Sequence, residues 1–131
     1  MARIDRFEDI EAWKLARRVT RMIYDVTSRD RFSRDFALVN QIRRASVSIL
    51  SNIAEGFERG GNKELVQFLA TAKGSCGEVR SQLYVALDQN YISETEFNEI
   101  SKLLVETSKT LSGFMRYLQS TELRGSKYKH L

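Results

Sequence analysis

Apolar residues recur at intervals of three and four along most of the chain, the spacing of one face of an α-helix. With each residue advancing roughly 100° around a helix axis, four segments sort into an apolar side and a polar side. The first helix runs from about Glu8 to Ser28 and turns Ala12, Leu15, Val19, Met22, Ile23 and Val26 to one side. The second runs from about Ser33 to Glu58, with Ser33 as its N-cap. The third follows the turn Arg59-Gly60-Gly61, with Asn62 as N-cap and a seam of Leu65, Leu69, Ala72, Cys76, Val79, Leu83 and Ala86. The fourth opens on Ser93-Glu94-Thr95-Glu96, a capping box in which Ser93 and Glu96 satisfy each other's backbone donors. Its seam is Phe97, Ile100, Leu104, Thr107, Leu111, Phe114 and Leu118. The chain has no proline to break these helices. Short connections place successive helices antiparallel. The expected fold is therefore all-α, an antiparallel up-down-up-down four-helix bundle over residues 1–120, with 121–131 as a flexible basic C-terminal tail.

The second helix departs from this pattern. Leu38, Ile42, Ala45, Ile49 and Ile53 form the stripe a bundle needs, but Val39, Val47, Leu50, Ala54 and Phe57 form another beside it. Together they cover roughly 200°, where one-sided burial requires about 100°. Either this helix touches both neighbours broadly, or the extra stripe faces another subunit, as exposed apolar patches commonly do.

A chain of 131 residues is one domain's worth. No apolar run approaches the roughly 20 residues of a membrane span, and the N-terminus has no signal core. The expectation is a cytoplasmic protein without membrane contact. Cys76 is the single cysteine and His130 the single histidine, which removes internal disulfides and most catalytic-triad and zinc-site chemistry. No Glu-x-x-His pair is available for a di-metal bundle. Neither cofactor nor metal is expected, and the chain reads as a non-enzyme.

The formal charge of +4 is uneven: residues 1–62 hold 12 Lys/Arg against 9 Asp/Glu, and residues 63–120 hold 6 against 7. Lys14, Arg17, Arg18 and Arg21 recur at i, i+3, i+4 and i+7 on the first helix, away from its apolar side. A stripe of this kind is either a phosphate-binding surface or a solvated face. Arg44 lies on the polar side of the second helix and joins the candidate nucleic-acid contacts. Arg43 falls within the extra apolar stripe, so its reading is an interface arginine whose stem packs while its head pairs with a carboxylate across subunits. The candidate interface is Val39, Arg43, Val47, Leu50, Ala54 and Phe57. Asn52 reads as a register-fixing buried amide, Gly74 and Gly77 as a surface for close helix approach, and Cys76 as an inert buried thiol.

Gln41-Ile42-Arg43-Arg44-Ala45 followed by Ser48-Ile49-Leu50-Ser51-Asn52-Ile53-Ala54-Glu55-Gly56 resembles the signature of the four-helix bundle proteins encoded in 23S rRNA intervening sequences. The segments Phe7–Ala16 and Phe68–Ser75, with Glu78, resemble further motifs of that family. Leu50 stands where the family often has proline, which implies a straighter second helix, and Cys76-Gly77 stands where larger residues are usual. The resemblance implies a cyclic homopentamer of four-helix protomers and no enzymatic activity. A more distant similarity, to the accessory protein of diversity-generating retroelements, implies a basic surface that meets nucleic acid, or a scaffold that recruits a protein partner such as a polymerase or reverse transcriptase. The first expectation is an oligomeric RNA-associated protein, and the second is a protein-interaction scaffold.

Overall fold

The structure is a computed structural model that describes residues 3–121. Residues 122–131, most of the expected tail, lie outside the described part. Among the described residues the chain is all-helical and resembles a four-helix bundle. A 3-10 turn, Phe7–Asp9, precedes α1 (Glu11–Thr27). There follow a short α2 (Asp30–Arg34) and three long helices, α3 (Phe36–Glu58), α4 (Asn62–Asp88) and α5 (Glu94–Thr121). Helix α3 packs on α1 and α4, and α5 packs on the same two, so the four long helices enclose one core.

All the expected α4 seam residues are buried. Met22 of α1 and Phe97 of α5 are half-buried, and the rest of those two seams is buried too. Two polar members of the core are satisfied within their own helix: Thr107 donates to the Leu103 carbonyl at 2.7 Å, and Ser46 to the Arg43 carbonyl at 2.9 Å.

The helix boundaries differ from expectation for identifiable reasons. The first helix does not start at Glu8, because the Asp9 carboxylate accepts from the amides of Asp5 at 3.1 Å and Arg6 at 3.3 Å and closes a separate turn. The second is broken. Asp35, not Ser33, caps α3, accepting from the Leu38 amide at 3.2 Å, and residues 30–34 form their own turn of helix. The other Asp35 oxygen accepts from the Tyr91 hydroxyl at 2.9 Å, and the Tyr91 ring stacks on buried Phe32 at 5.0 Å. The α4–α5 loop thus holds the break in place. Asn62 is the first residue of α4, with extended Gly61 as cap. Its side chain points into the bundle end, donating to Thr121 Oγ1 at 3.2 Å.

The helix ends carry their stop signals. Gly60, at φ 87°, ends α3 where a side chain would be strained. Asn90, at φ 59°, ends α4 in a Schellman arrangement, with Tyr91 N–H donating to the Ala86 carbonyl at 2.9 Å and Asn90 N–H to the Leu87 carbonyl at 3.0 Å. The Ser93–Glu96 capping box forms as expected, at 3.0 and 3.1 Å. Helix α3 runs unbroken past Leu50.

Candidate nucleic-acid interface

Helix α1 buries Ala12, Leu15, Ala16, Val19, Ile23 and Val26, and this fixes which side faces out. Lys14, Arg17, Arg18 and Arg21 are all exposed and span two turns, about 10.5 Å along the axis. None of the four makes an ion pair among the described residues. Two of the nearby carboxylates are engaged elsewhere, while Glu11, one turn before Lys14, stands exposed. Asp9 is held below the usual carboxylate range, chiefly by the Asp5 amide, and Asp25 pairs with Arg29 at 2.9 Å. The Arg17 guanidinium lies 5.9 Å above the Trp13 ring, which packs edge-on against Phe7 at 5.2 Å. Arg18 and Arg21 border a shallow groove with Met22 and Asp25. The chemistry available here is attraction of anions, without a nucleophile or base.

Arg44 is exposed but does not join this stripe. It sits one turn before Ser48, whose hydroxyl meets that of Ser75 on α4 at 3.0 Å, whereas α3 meets α1 through Arg43 and Ser46. The Arg43 head is engaged within the chain. Its Nε donates to Thr27 Oγ1 at 2.8 Å, an Nη donates to Ser28 Oγ at 3.2 Å, and the guanidinium covers the Tyr24 ring at 4.4 Å. Thr27 and Ser28 carried no signal in sequence, because a hydroxyl anchor is defined only by the α1–α3 approach.

The extra apolar stripe of α3 divides. Val39 and Phe57 at its ends are buried in the protomer, Leu50 and Ala54 are half-buried, and Val47 is exposed. Phe36, 74% exposed, extends the line at seven residues before Arg43. Asn52 bonds Ser48 of its own helix, at 2.8 Å to the carbonyl and 3.0 Å to the hydroxyl, so it fixes no register between helices.

Gly74 and Gly77 are exposed, and a Cβ at either would meet nothing within 4 Å, so no helix of this chain approaches them. The close approach belongs to Gly56, where a Cβ would stand 2.6 Å from the Phe68 Cβ and 2.9 Å from Leu65 Cδ1. Burial pushes the Cys76 thiol up to about 12, leaving it protonated. A cavity of about 300 Å³ lies between the N-terminal turn and α5, lined by Ile4, Ile10, Ala12 and Phe114 with Asp9, Glu11, Lys14 and Thr110 at its polar margin. No group of three or more metal-ligating side chains converges among the described residues. No described helix is long and apolar enough to cross a membrane.

The family model described as 23S rRNA-intervening sequence protein matches residues 8–113. No match was found among curated proteins. A solved structure of a protein of unknown function from the S23 ribosomal protein family of Bacteroides thetaiotaomicron superposes with a TM-score of 0.67 at 20% identity. The match covers 79% of this chain and 94% of that one. At that identity the likeness extends to the fold.

Proposed function

We propose, from the premise that this chain belongs to the 23S rRNA-intervening sequence protein family, that it is a non-enzymatic, oligomeric, cytoplasmic RNA-associated protein whose α1 surface contacts phosphates. The observation that carries this reading is the row Lys14, Arg17, Arg18 and Arg21, exposed and without a carboxylate partner. A solvated face of an ordinary helix is commonly laced with carboxylates; here Glu11 and Asp25 stand only at the two ends of the row. Four contacts to a single strand give a log–log salt slope of about −3.

The proposed protomer is up-down-up-down. Asn62 meets Thr121 and Arg29 meets Glu96, so the start of one helix lies beside the end of its neighbour. The proposed assembly is a cyclic homopentamer, with Val47, Leu50 and Ala54 as the part of the expected interface that the protomer leaves open. Arg43 contributes there as a braced rim rather than as a free head.

The test is binding of labelled 23S rRNA fragments across a salt series, with mass by light scattering. Arg17→Glu, Arg18→Glu and Arg21→Glu together should abolish binding while helicity is kept. A flat salt dependence, or preserved binding by that variant, would refute the α1 surface. A protein scaffold is the second reading, and the exposed Phe36 favours it. A pull-down that recovers a defined protein and no nucleic acid would select it.

A further inference from the structure

The segment ahead of α1 does more than lead into the helix. Its Ile4 and Ile10 are buried, and with buried Ala12 of α1 and Phe114 of α5 they line a cavity of about 300 Å³. Well-packed interiors hold few voids larger than a water molecule, whose share of liquid volume is about 30 Å³. A space of this size stands instead at the small end of the range that takes small-molecule ligands. Ligand sites of that kind pair apolar walls with a few polar groups that fix orientation. The polar groups here are Asp9, Glu11, Lys14 and Thr110.

Asp9 is already committed. One oxygen accepts from the Asp5 and Arg6 amides at 3.1 and 3.3 Å, and the other lies 3.8 Å from the Arg6 Nε. Its carboxyl is lowered first by the Asp5 amide, then by Arg6, with a smaller share from the charge of Lys14. The other three are not committed. Glu11 and Lys14 are exposed and Thr110 is half-buried, and none of them makes a hydrogen bond or ion pair among the described residues. Glu11 and Lys14 are one turn apart on α1, about 4.5 Å along the axis. A pair at that spacing is weak in water, and here the two do not pair.

The cavity therefore offers apolar walls, one available carboxylate and one available ammonium. A purely cationic ligand would meet Glu11 but crowd Lys14, and a purely anionic one would do the reverse. A ligand with an apolar body and both charges on one carbon satisfies all three features. We infer that this cavity binds a free α-amino acid with a branched or aromatic apolar side chain. The side chain enters between Ile4, Ile10 and Phe114, the α-ammonium meets Glu11, and the α-carboxylate meets Lys14 with the Thr110 hydroxyl donating to it. The site is distinct from the phosphate-contacting row in all but Lys14, which borders both, and it does not depend on RNA binding.

The experiment is a titration of the full chain, methyl-labelled at isoleucine, with L-leucine followed by NMR. The Ile4 and Ile10 methyl signals should shift together and saturate, with a Kd on the order of 0.1–1 mM for so small a ligand. L-Alanine should bind more than tenfold more weakly, because it leaves the apolar walls unfilled. Isoamylamine and 4-methylpentanoate, each lacking one of the two charges, should each lose about fivefold. Glu11→Gln should weaken leucine about fivefold and leave 4-methylpentanoate no weaker, since that ligand has no ammonium to lose. Thr110→Leu should weaken leucine by placing an apolar side chain at the margin, and a lowered urea midpoint in that variant would leave Glu11→Gln to decide. The inference falls if leucine shifts neither methyl, if alanine or either singly charged ligand binds as tightly as leucine, or if Glu11→Gln binds leucine like wild type.

Discussion

Helix α3 has two neighbours, and it meets them by different physics. Toward α4 the contact is a steric fit: Gly56 gives up its side chain so that Phe68 and Leu65 can close in. Toward α1 the outer part of the contact is polar. Arg43 reaches Thr27, Ser28 and the Tyr24 ring, and Thr20 donates to the Ser46 carbonyl at 3.3 Å. The steric flank sets a short helix–helix distance and leaves little apolar surface behind. The polar flank braces α1 through side-chain hydrogen bonds, and the apolar residues beside it, Val47, Leu50 and Ala54, stay partly open. The flank that is least complete within the protomer is thus the one with surface to offer a second chain.

The largest effect should come from the steric flank. Gly56→Ala would gain up to about 1 kcal/mol of helix propensity. The new Cβ would meet the Phe68 Cβ, an atom fixed to its backbone, and overpacking of this kind costs about 1–3 kcal/mol. The expected outcome is a lowered urea midpoint, and an unchanged one would break the contrast. On the polar flank, Arg43→Met keeps the stem and removes the guanidinium. The loss should be about 1 kcal/mol. Arg43→Lys should recover little of it, because an ammonium cannot donate in a fork to Thr27 and Ser28 while covering Tyr24. Equal stability of wild type and Arg43→Met would mean that the brace is decorative.

Gly74→Ala serves as the matched control for Gly56→Ala. The residue change is the same, but a Cβ there meets nothing within 4 Å. Only the propensity gain remains, so stability should rise by up to about 1 kcal/mol. Opposite signs for the two substitutions would show that approach distance, rather than glycine content, decides how α3 and α4 hold together.

The seams and the Ser93–Glu96 box were legible because both follow from local spacing along one helix. The break at Asp35 was not. Residues 33–58 read as one continuous helix, and it takes Tyr91, fifty-six positions later, to reward a cap at Asp35. Gly56 and Gly74 show the same limit from the other side. A glycine in a helix signals close packing or its absence only once the partner helix is in place, and within this chain the close approach is at Gly56 rather than at Gly74 or Gly77. The α1 stripe was readable because α1 is amphipathic by itself. The partners of Arg43 within the chain were not legible, because they are hydroxyls on another helix, and hydroxyls carry no pattern.

The smallest effect concerns the end of α1, which Arg29 ties to Glu96 of α5. The Ser93 amide, and after it the Arg29 guanidinium, hold the Glu96 carboxyl below its ordinary value of 4.5. A carboxyl whose folded pKa lies below its unfolded one stabilises the fold above the unfolded value. That contribution fades as pH falls from 4.5 through the folded value. The tie is partly exposed, with Arg29 at 50% and Glu96 at 27%, so it amounts to about 0.5 kcal/mol. Thermal unfolding at neutral and acid pH should therefore show Glu96→Gln slightly less stable than wild type at neutrality, with the difference shrinking below 4.5. Asp9 is shifted the same way but holds only the N-terminal turn, so its acid loss persists in the variant. If Glu96→Gln kept the full acid sensitivity of wild type, the attachment of α1 would rest on Arg43 and the buried seam, and the polar flank would be a single brace rather than a brace and a clasp.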